Sequence, residues 1–216
     1  MSSTSSHIAD IRKDYRLAAL DESVAGQEPL SFFRHWFDEA EKAQIDEVNA
    51  MTLATVDEHG YPHARIVLLK GLDEGFVFFT NYDSAKGRQL ATRPSVAVVF
   101  FWKELERQVR IEGVVEKTAI TESDAYFNSR PTGSRIGAWA SPQSAVIPNR
   151  QILEELSLQY ETEFQGVPIP RPEHWGGYRI LPQRIEFWQG RSNRLHDRIV
   201  FEKEGQSSWS KYRLAP

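Results

Sequence analysis

Residues 50–117 read AMTLATVDEHGYPHARIVLLKGLDEGFVFFTNYDSAKGRQLATRPSVAVVFFWKELERQVRIEGVVEK. Five segments in this stretch, 50–56, 63–70, 75–80, 95–102 and 108–117, are rich in β-branched and aromatic residues, and turn formers such as DEHGYP separate the first two. Short strands at this density predict an antiparallel barrel or sandwich. Only 84–92 breaks the series, as a short helix with Ser84 as its N-cap.

Working outward, Leu30, Phe33, Trp36, Phe37 and Ala40 recur at helical spacing and predict an amphipathic helix over about 30–45. Residues 1–28 lack sustained periodicity and read as a flexible N-terminal arm with at most one short helix, around 8–17. Beyond the strand series, helices are expected at 121–129 and 149–164, with a further one beginning near Gly133. Strands follow at 177–181, 184–189, 195–202 and 208–214. Those last four strands alone would expose unpaired edges, so 29–216 reads as one mainly β domain with peripheral helices.

Composition narrows the chemistry. The 216 residues are 40% hydrophobic and 26% charged, which excludes a disordered or fibrous chain. With no cysteine there is no disulfide, thiolate metal site or cysteine nucleophile. The formal net charge of −4 gives no global field for nucleic acid or an anionic membrane. The longest apolar run is far shorter than the roughly 20 residues a bilayer span needs, and the polar N-terminus lacks a signal-peptide core, so a cytoplasmic protein is expected. No dinucleotide fingerprint, Walker motif, nucleophile elbow or HExxH is present, and the scattered histidines suggest no metal site. A bound cofactor is then the natural carrier of any difficult step.

Several clusters suit anionic ligands. Arg65 and Lys70 bracket a hydrophobic strand, and their odd separation sends their side chains to opposite faces. Thr80, Asn81, Ser84 and Lys86 lie at a strand end and the next helix N-terminus, where free N–H groups favour phosphate. Tyr126 and Arg130 share a helix face, with Ser134 just past Pro131. Gln143 and Ser144 offer an amide and a hydroxyl to a polar ring edge, and Gln108 is a polar residue facing away from Val109 and Ile111. If 194–198 is extended, Arg194, His196 and Arg198 share one face, with Trp188 nearby in sequence. Each cluster also reads as ordinary solvated charge, a cap, a loop or core, and spacing alone does not choose.

The order and wording of these segments resemble the pyridoxamine (pyridoxine) 5′-phosphate oxidase family from about Ile8 to Pro216. The pieces that carry the resemblance are IRKDY, MTLATVDEHGYPHARIVLLKG, FFTNYDSAKG, LERQVRIEG, YFNSRPTGSRIGAWASPQS, HWGGYRI, RIEFWQGRSNRLHDR and RLAP. The resemblance implies a homodimer of FMN-binding split β-barrels (Greek-key antiparallel barrels) with two sites at the subunit interface. It also implies oxidation of pyridoxamine 5′-phosphate or pyridoxine 5′-phosphate to pyridoxal 5′-phosphate by O2, releasing H2O2 and, from the amine, ammonia.

Carried over residue by residue, the family's FMN contacts fall on Arg65, Ile66, Val67, Leu68, Leu69, Lys70, Phe79, Thr80, Lys86, Gln108, Gln143, Ser144, Trp188 and Arg198. Its substrate contacts fall on Lys70, Tyr126, Arg130 and Ser134 for the phosphate and on Arg194, Leu195 and His196 for the ring, with Arg194 and His196 as the catalytic pair. Arg12, Lys13, Asp14 and Tyr15 match a segment that in the family can close over the site. Two positions depart from the pattern: Ala85 stands where many relatives carry an FMN-phosphate arginine, and Phe79 replaces a tyrosine of some members. The rival readings are a phenazine-type flavin oxidase, which would lack the full set Lys70, Tyr126, Arg130 and Ser134, and a non-catalytic flavin or pyridoxal-phosphate carrier.

Overall fold

The computed structural model describes residues 8, 10, 11, 13–205 and 208–216. In chain order the elements are α1 (Pro29–Lys42), β1 (Ala50–Val56), β2 (Pro62–Leu68), β3 (Gly71–Leu72), β4 (Phe76–Asn81), α2 (Ala85–Thr92), β5 (Ser95–Trp102) and β6 (Arg107–Lys117), then α3 (Ile120–Ser129), α4 (Thr132–Ala140), α5 (Gln151–Glu163), β7 (Trp175–Gln189), β8 (Asp197–Glu204) and β9 (Ser208–Arg213). The sheet order is β2-β1-β5-β6-β7-β4-β3, with β8 on β7 and β9 on β8. The chain forms two compact units: Met1–Val48 with Val99–Ile111 and Arg184–Pro216, and Asn49–Val98 with Glu112–Gln183.

The Asn49–Val98 and Glu112–Gln183 unit is built on antiparallel pairs. Strand β1 alternates buried and half-buried side chains, as its sequence dictates, and sets Leu53 opposite Arg65 of β2. Strand β2 stops at Leu68, and the Lys70 N–H donates to the Val77 carbonyl, so strand alternation does not extend from Arg65 to Lys70. The expectation that these two cations point to opposite faces therefore fails. Ser84 caps α2 by accepting from the Gly87 N–H at 3.2 Å. A Cβ on Gly87 would lie 1.9 Å from the Tyr82 carbonyl oxygen, so only glycine lets the first turn of α2 approach the exit of β4 this closely. Gly87→Ala is expected to cost about 1–3 kcal/mol through overpacking. An unchanged denaturant midpoint would contradict that expectation.

The predicted strands at 177–181 and 184–189 are one strand, β7. Its ladder to β4 ends at Ile180 and its ladder to β8 begins at Arg184, so Pro182 falls where the strand changes partner and its missing N–H breaks neither ladder. The 195–202 strand begins later than expected. Residues Ser192–Arg194 form a 3-10 turn with positive φ at Asn193 (57°) and Arg194 (62°), so strand alternation does not align Arg194, His196 and Arg198.

In the other unit, α1 buries Phe32, Phe33, Trp36 and Ala40, with Phe32 taking the inner place expected for Leu30 and Phe37. Phe33 packs on Phe100 at 5.0 Å and Phe32 on Phe187 at 4.6 Å. Each such ring contributes roughly 1.5–3 kcal/mol through burial. In the stretch read as an arm, the Leu20 N–H donates to Asp197, Arg213 pairs with Glu22, and Leu20 and Ala25 are buried.

Candidate functional site

A cavity of about 650 Å³ opens in the Asn49–Val98 and Glu112–Gln183 unit, within the range common for small-molecule sites. Arg65 reaches it from β2. Its guanidinium donates to the Thr55 hydroxyl at 2.5 Å, to the Leu53 carbonyl at 3.3 Å and to Gln89 Oε1 at 3.2 Å, and the Thr55 hydroxyl also donates to Gln89 Oε1. Lys86, in the first turn of α2, donates from Nζ to the Thr80 hydroxyl at 3.2 Å and to Gln143 Oε1 at 3.3 Å. These partners orient both cations without neutralising them.

Arg130 follows α3 as its C-cap, in extended backbone imposed by Pro131. Its guanidinium lies 4.6 Å over the Trp175 ring, and its Nη1 is buried with no hydrogen-bond partner. Trp175, Phe79 and Tyr126 form a set of nearly parallel rings, with Phe79 at 4.0 Å from Tyr126 and 5.6 Å from Trp175. The aromatic face attracts Arg130 while leaving its N–H groups available.

Lys70 and Ser134 also line the cavity, whose lining contains four cations and no carboxylate among the described residues. Burial holds Arg65, Lys86 and Arg130 below the usual values for their side chains, and Lys86 is lowered further by Arg65. Like charges gathered with neutral partners and a buried unpaired N–H form a site for anions. The donor set fits a phosphate-bearing flavin and a second phosphorylated molecule.

The cavity brings together half of the expected residues: Arg65, Ile66, Val67, Leu68, Lys70, Phe79, Thr80, Lys86, Tyr126, Arg130, Ser134 and Gln143. Leu69 is outside its lining and is buried, exchanging hydrogen bonds with Asn49. Ser144, at positive φ, is also outside the lining. Gln108 lies half-buried in the first part of β6, which belongs to the other unit. Trp175 and Gln89 are not among the residues that the sequence motifs mark as ligand contacts. Trp175 ends a proline-rich loop in the sequence, and only its place in HWGGYRI singled it out. Gln89 is one turn beyond Lys86 on α2, a spacing that could have suggested a shared face.

The remaining expected residues gather in the unit containing both termini. A cavity of about 610 Å³ is lined by Ile11, Lys13, Asp14, Tyr15, Arg191, Asn193, Arg194 and His196. The Tyr15 ring meets Trp188 edge-on at 5.8 Å, and His196 lies 4.6 Å from Trp188. The Arg191 N–H donates to His196 Nδ1 at 3.1 Å, which leaves the neutral ring's proton on Nε2. Burial and then Arg194 lower the His196 pKa, against an opposing pull from Asp197. Arg194 is exposed, and no hydrogen bond or ion pair holds it among the described residues. Leu195 is 67% exposed beside it. Arg198 is committed elsewhere: it donates to both oxygens of the buried Glu186 and to the Ala215 carbonyl. Arg12 lies outside the described residues.

Comparisons with known proteins identify the family. The family model described as pyridoxamine 5′-phosphate oxidase matches residues 37–156, and the pyridoxine 5′-phosphate oxidase C-terminal dimerisation region matches residues 175–216. A pyridoxine/pyridoxamine 5′-phosphate oxidase of Ralstonia pickettii is 60% identical over 210 residues, covering 97% of this chain and 99% of the relative. One from Leptospira interrogans is 57% identical over 210 residues, covering 97% and 98%. Among solved structures, PhzG from Burkholderia lata, in complex with tetrahydrophenazine-1-carboxylic acid, superposes with a TM-score of 0.86 at 28% identity over 93% of this chain and 99% of that one. A pyridoxamine 5′-phosphate oxidase-related, FMN-binding protein of Nostoc punctiforme gives a TM-score of 0.70 at 17% identity, covering 88% and 99%, and shares the fold. Matched across its central strands and its C-terminal region, and similar almost end to end to named oxidases, the chain belongs to the pyridoxamine 5′-phosphate oxidase family.

Proposed function

We propose that this protein uses FMN to oxidise pyridoxamine 5′-phosphate and pyridoxine 5′-phosphate to pyridoxal 5′-phosphate, with O2 as the final acceptor, acting as a homodimer in the cytoplasm. The observation that carries this reading is the four-cation, carboxylate-free cavity with the buried, unpartnered Nη1 of Arg130. When bound, FMN would supply the hydride acceptor and the route for electrons to O2.

The chain's own residues bind and orient. Arg65 and Lys86, held by Thr55, Thr80, Gln89 and Gln143, take the FMN phosphate. Lys70, Tyr126, Arg130 and Ser134 take the substrate phosphate. Gln143 and the backbone of 66–68 flank the flavin ring, and Phe79 acts through packing, since it has no polar group. Arg194 and His196 meet the substrate ring at the subunit interface of the proposed homodimer, where Arg194 covers the ring and stabilises its anionic oxygen and the His196 Nε2–H donates to that oxygen. Holding the reactants in this way removes most of the entropic cost of their encounter.

The charge state of His196 has a testable consequence. Its folded pKa is depressed, so any stability it contributes is present above the ordinary imidazole value and is lost as pH falls from there through the folded value. The acid limb of kcat/KM, which reports the free enzyme, is expected below the ordinary imidazole value of about 6.5. His196→Gln should abolish that limb, and a limb unchanged in the variant contradicts the role.

The likeness to PhzG favours one second reading, a flavin oxidase acting on a phenazine-type carboxylic acid. Purified protein loaded with FMN separates the two. Aldehyde and H2O2 should form from both phosphorylated vitamers, whereas turnover confined to an unphosphorylated tricyclic acid would reject the proposal.

A further inference from the structure

Glu106 is a buried carboxylate with no part in the site described above. It is 3% exposed and sits at positive φ (54°) between the short helical turn Lys103–Leu105 and β6. A carboxylate is costly to bury unless its oxygens accept several hydrogen bonds. Its Oε2 accepts from the backbone N–H of Arg16 at 2.8 Å and of Leu17 at 3.1 Å, and Lys13 Nζ approaches its Oε1 at 3.6 Å. Its carbonyl accepts from the Gly190 N–H at 2.7 Å and from Gln189 Nε2 at 3.2 Å. One residue thus joins the N-terminal segment to the end of β7.

Between these attachments sits Tyr15. Its carbonyl accepts from the Ser192 hydroxyl at 3.2 Å, and its ring lies 5.8 Å from Trp188 and 6.0 Å from His196. A Cβ on Gly190 would come 2.7 Å from Tyr15 Cγ, so glycine leaves the room the ring occupies. Residues 13–15 form one wall of the cavity that also presents Arg194 and His196.

From this arrangement we infer that Glu106 is a positioning residue: its carboxylate latches residues 13–17 in place, setting Tyr15 against Trp188 and His196 and completing the wall of the substrate pocket. Both amides converge on a single oxygen, so a carboxamide can serve as the latch and an alkyl group cannot. The part played by the wall in substrate binding rests on the proposed function; the latch itself does not.

The test is amide hydrogen exchange at Arg16 and Leu17 in the FMN-loaded protein, together with KM, kcat and flavin retention. In Glu106→Ala these two amides should exchange about tenfold faster or more, as loss of charge-assisted bonds implies. KM for pyridoxamine 5′-phosphate should rise about tenfold with FMN retention unchanged. Glu106→Gln should restore both slow exchange and KM. Unchanged exchange in Glu106→Ala, or a glutamine variant no better than alanine, overturns the latch. Faster exchange with unchanged KM keeps the latch but rejects its role in the pocket. Should the alanine variant fail to fold, Gly190→Ala displaces Tyr15 directly, and an unaltered KM there overturns the same role.

Discussion

Arg194→Gly is expected to lower kcat/KM for pyridoxamine 5′-phosphate about 10- to 100-fold, the cost of one hydrogen bond to a charged group at the transition state, while the protein keeps its FMN. Its stability should not fall. Arg194 holds a positive φ, a conformation that costs a non-glycine residue on the order of 1 kcal/mol or more and that glycine adopts freely. No hydrogen bond or ion pair within the described residues is lost with its side chain. A residue kept in a strained turn beside His196, with its guanidinium exposed and uncommitted, suits a ligand better than a structural role. Activity and stability should therefore move in opposite directions. If the glycine variant loses flavin in proportion to turnover, or melts lower, Arg194 is holding the structure together and the assignment fails.

Lys86→Met is the second large effect. FMN should bind about 10- to 100-fold more weakly, measured by equilibrium fluorescence titration, because one charge-assisted phosphate contact is removed. Without FMN the variant should melt no lower than the parent. Burial and the neighbouring Arg65 both oppose the charged form of Lys86, and its partners, Thr80 and Gln143, are neutral and also bond each other at 3.3 Å. A weaker FMN complex with an unharmed apoprotein is the signature of a ligand-binding cation. Ala85 offers no side-chain contact and the nearby Arg88 donates to the Asp83 carbonyl, so with the phosphate proposed to rest on Lys86 and Arg65 the loss should exceed that expected where an arginine at position 85 also helps.

Much of the fold was readable because its strands alternate. Strands β1 and β5 bury every second residue along most of their length, and the sequence shows the same period. The single strand β7 was not readable, since Leu181-Pro182-Gln183 has the composition of a turn and only the change of pairing partner explains why the strand continues. Local patterns flagged Arg65, Lys86 and Arg130 separately, but nothing in their spacing brings them to one cavity. That convergence depends on the β1–β2 register, the close approach at Gly87 and the Trp175 ring. The opposite-face argument for Arg65 and Lys70 failed because β2 ends between them, and both line the same cavity. Glu106 is not legible in the sequence because its partners are backbone amides some 90 residues away, which leave no mark in side-chain spacing.

The central claim is that one cavity binds two phosphates, the cofactor's at Arg65 and Lys86 and the substrate's at Lys70, Tyr126, Arg130 and Ser134. Its most direct test is steady-state oxidation by the FMN-loaded protein of pyridoxamine 5′-phosphate against pyridoxamine, in the parent and in Arg130→Met. The phosphorylated substrate should be favoured by 100-fold or more in kcat/KM, on the order of two charge-assisted contacts, and Arg130→Met should erase about tenfold or more of that preference without releasing FMN. Equal kcat/KM for the two amines, or a preference untouched by Arg130→Met, would contradict the account.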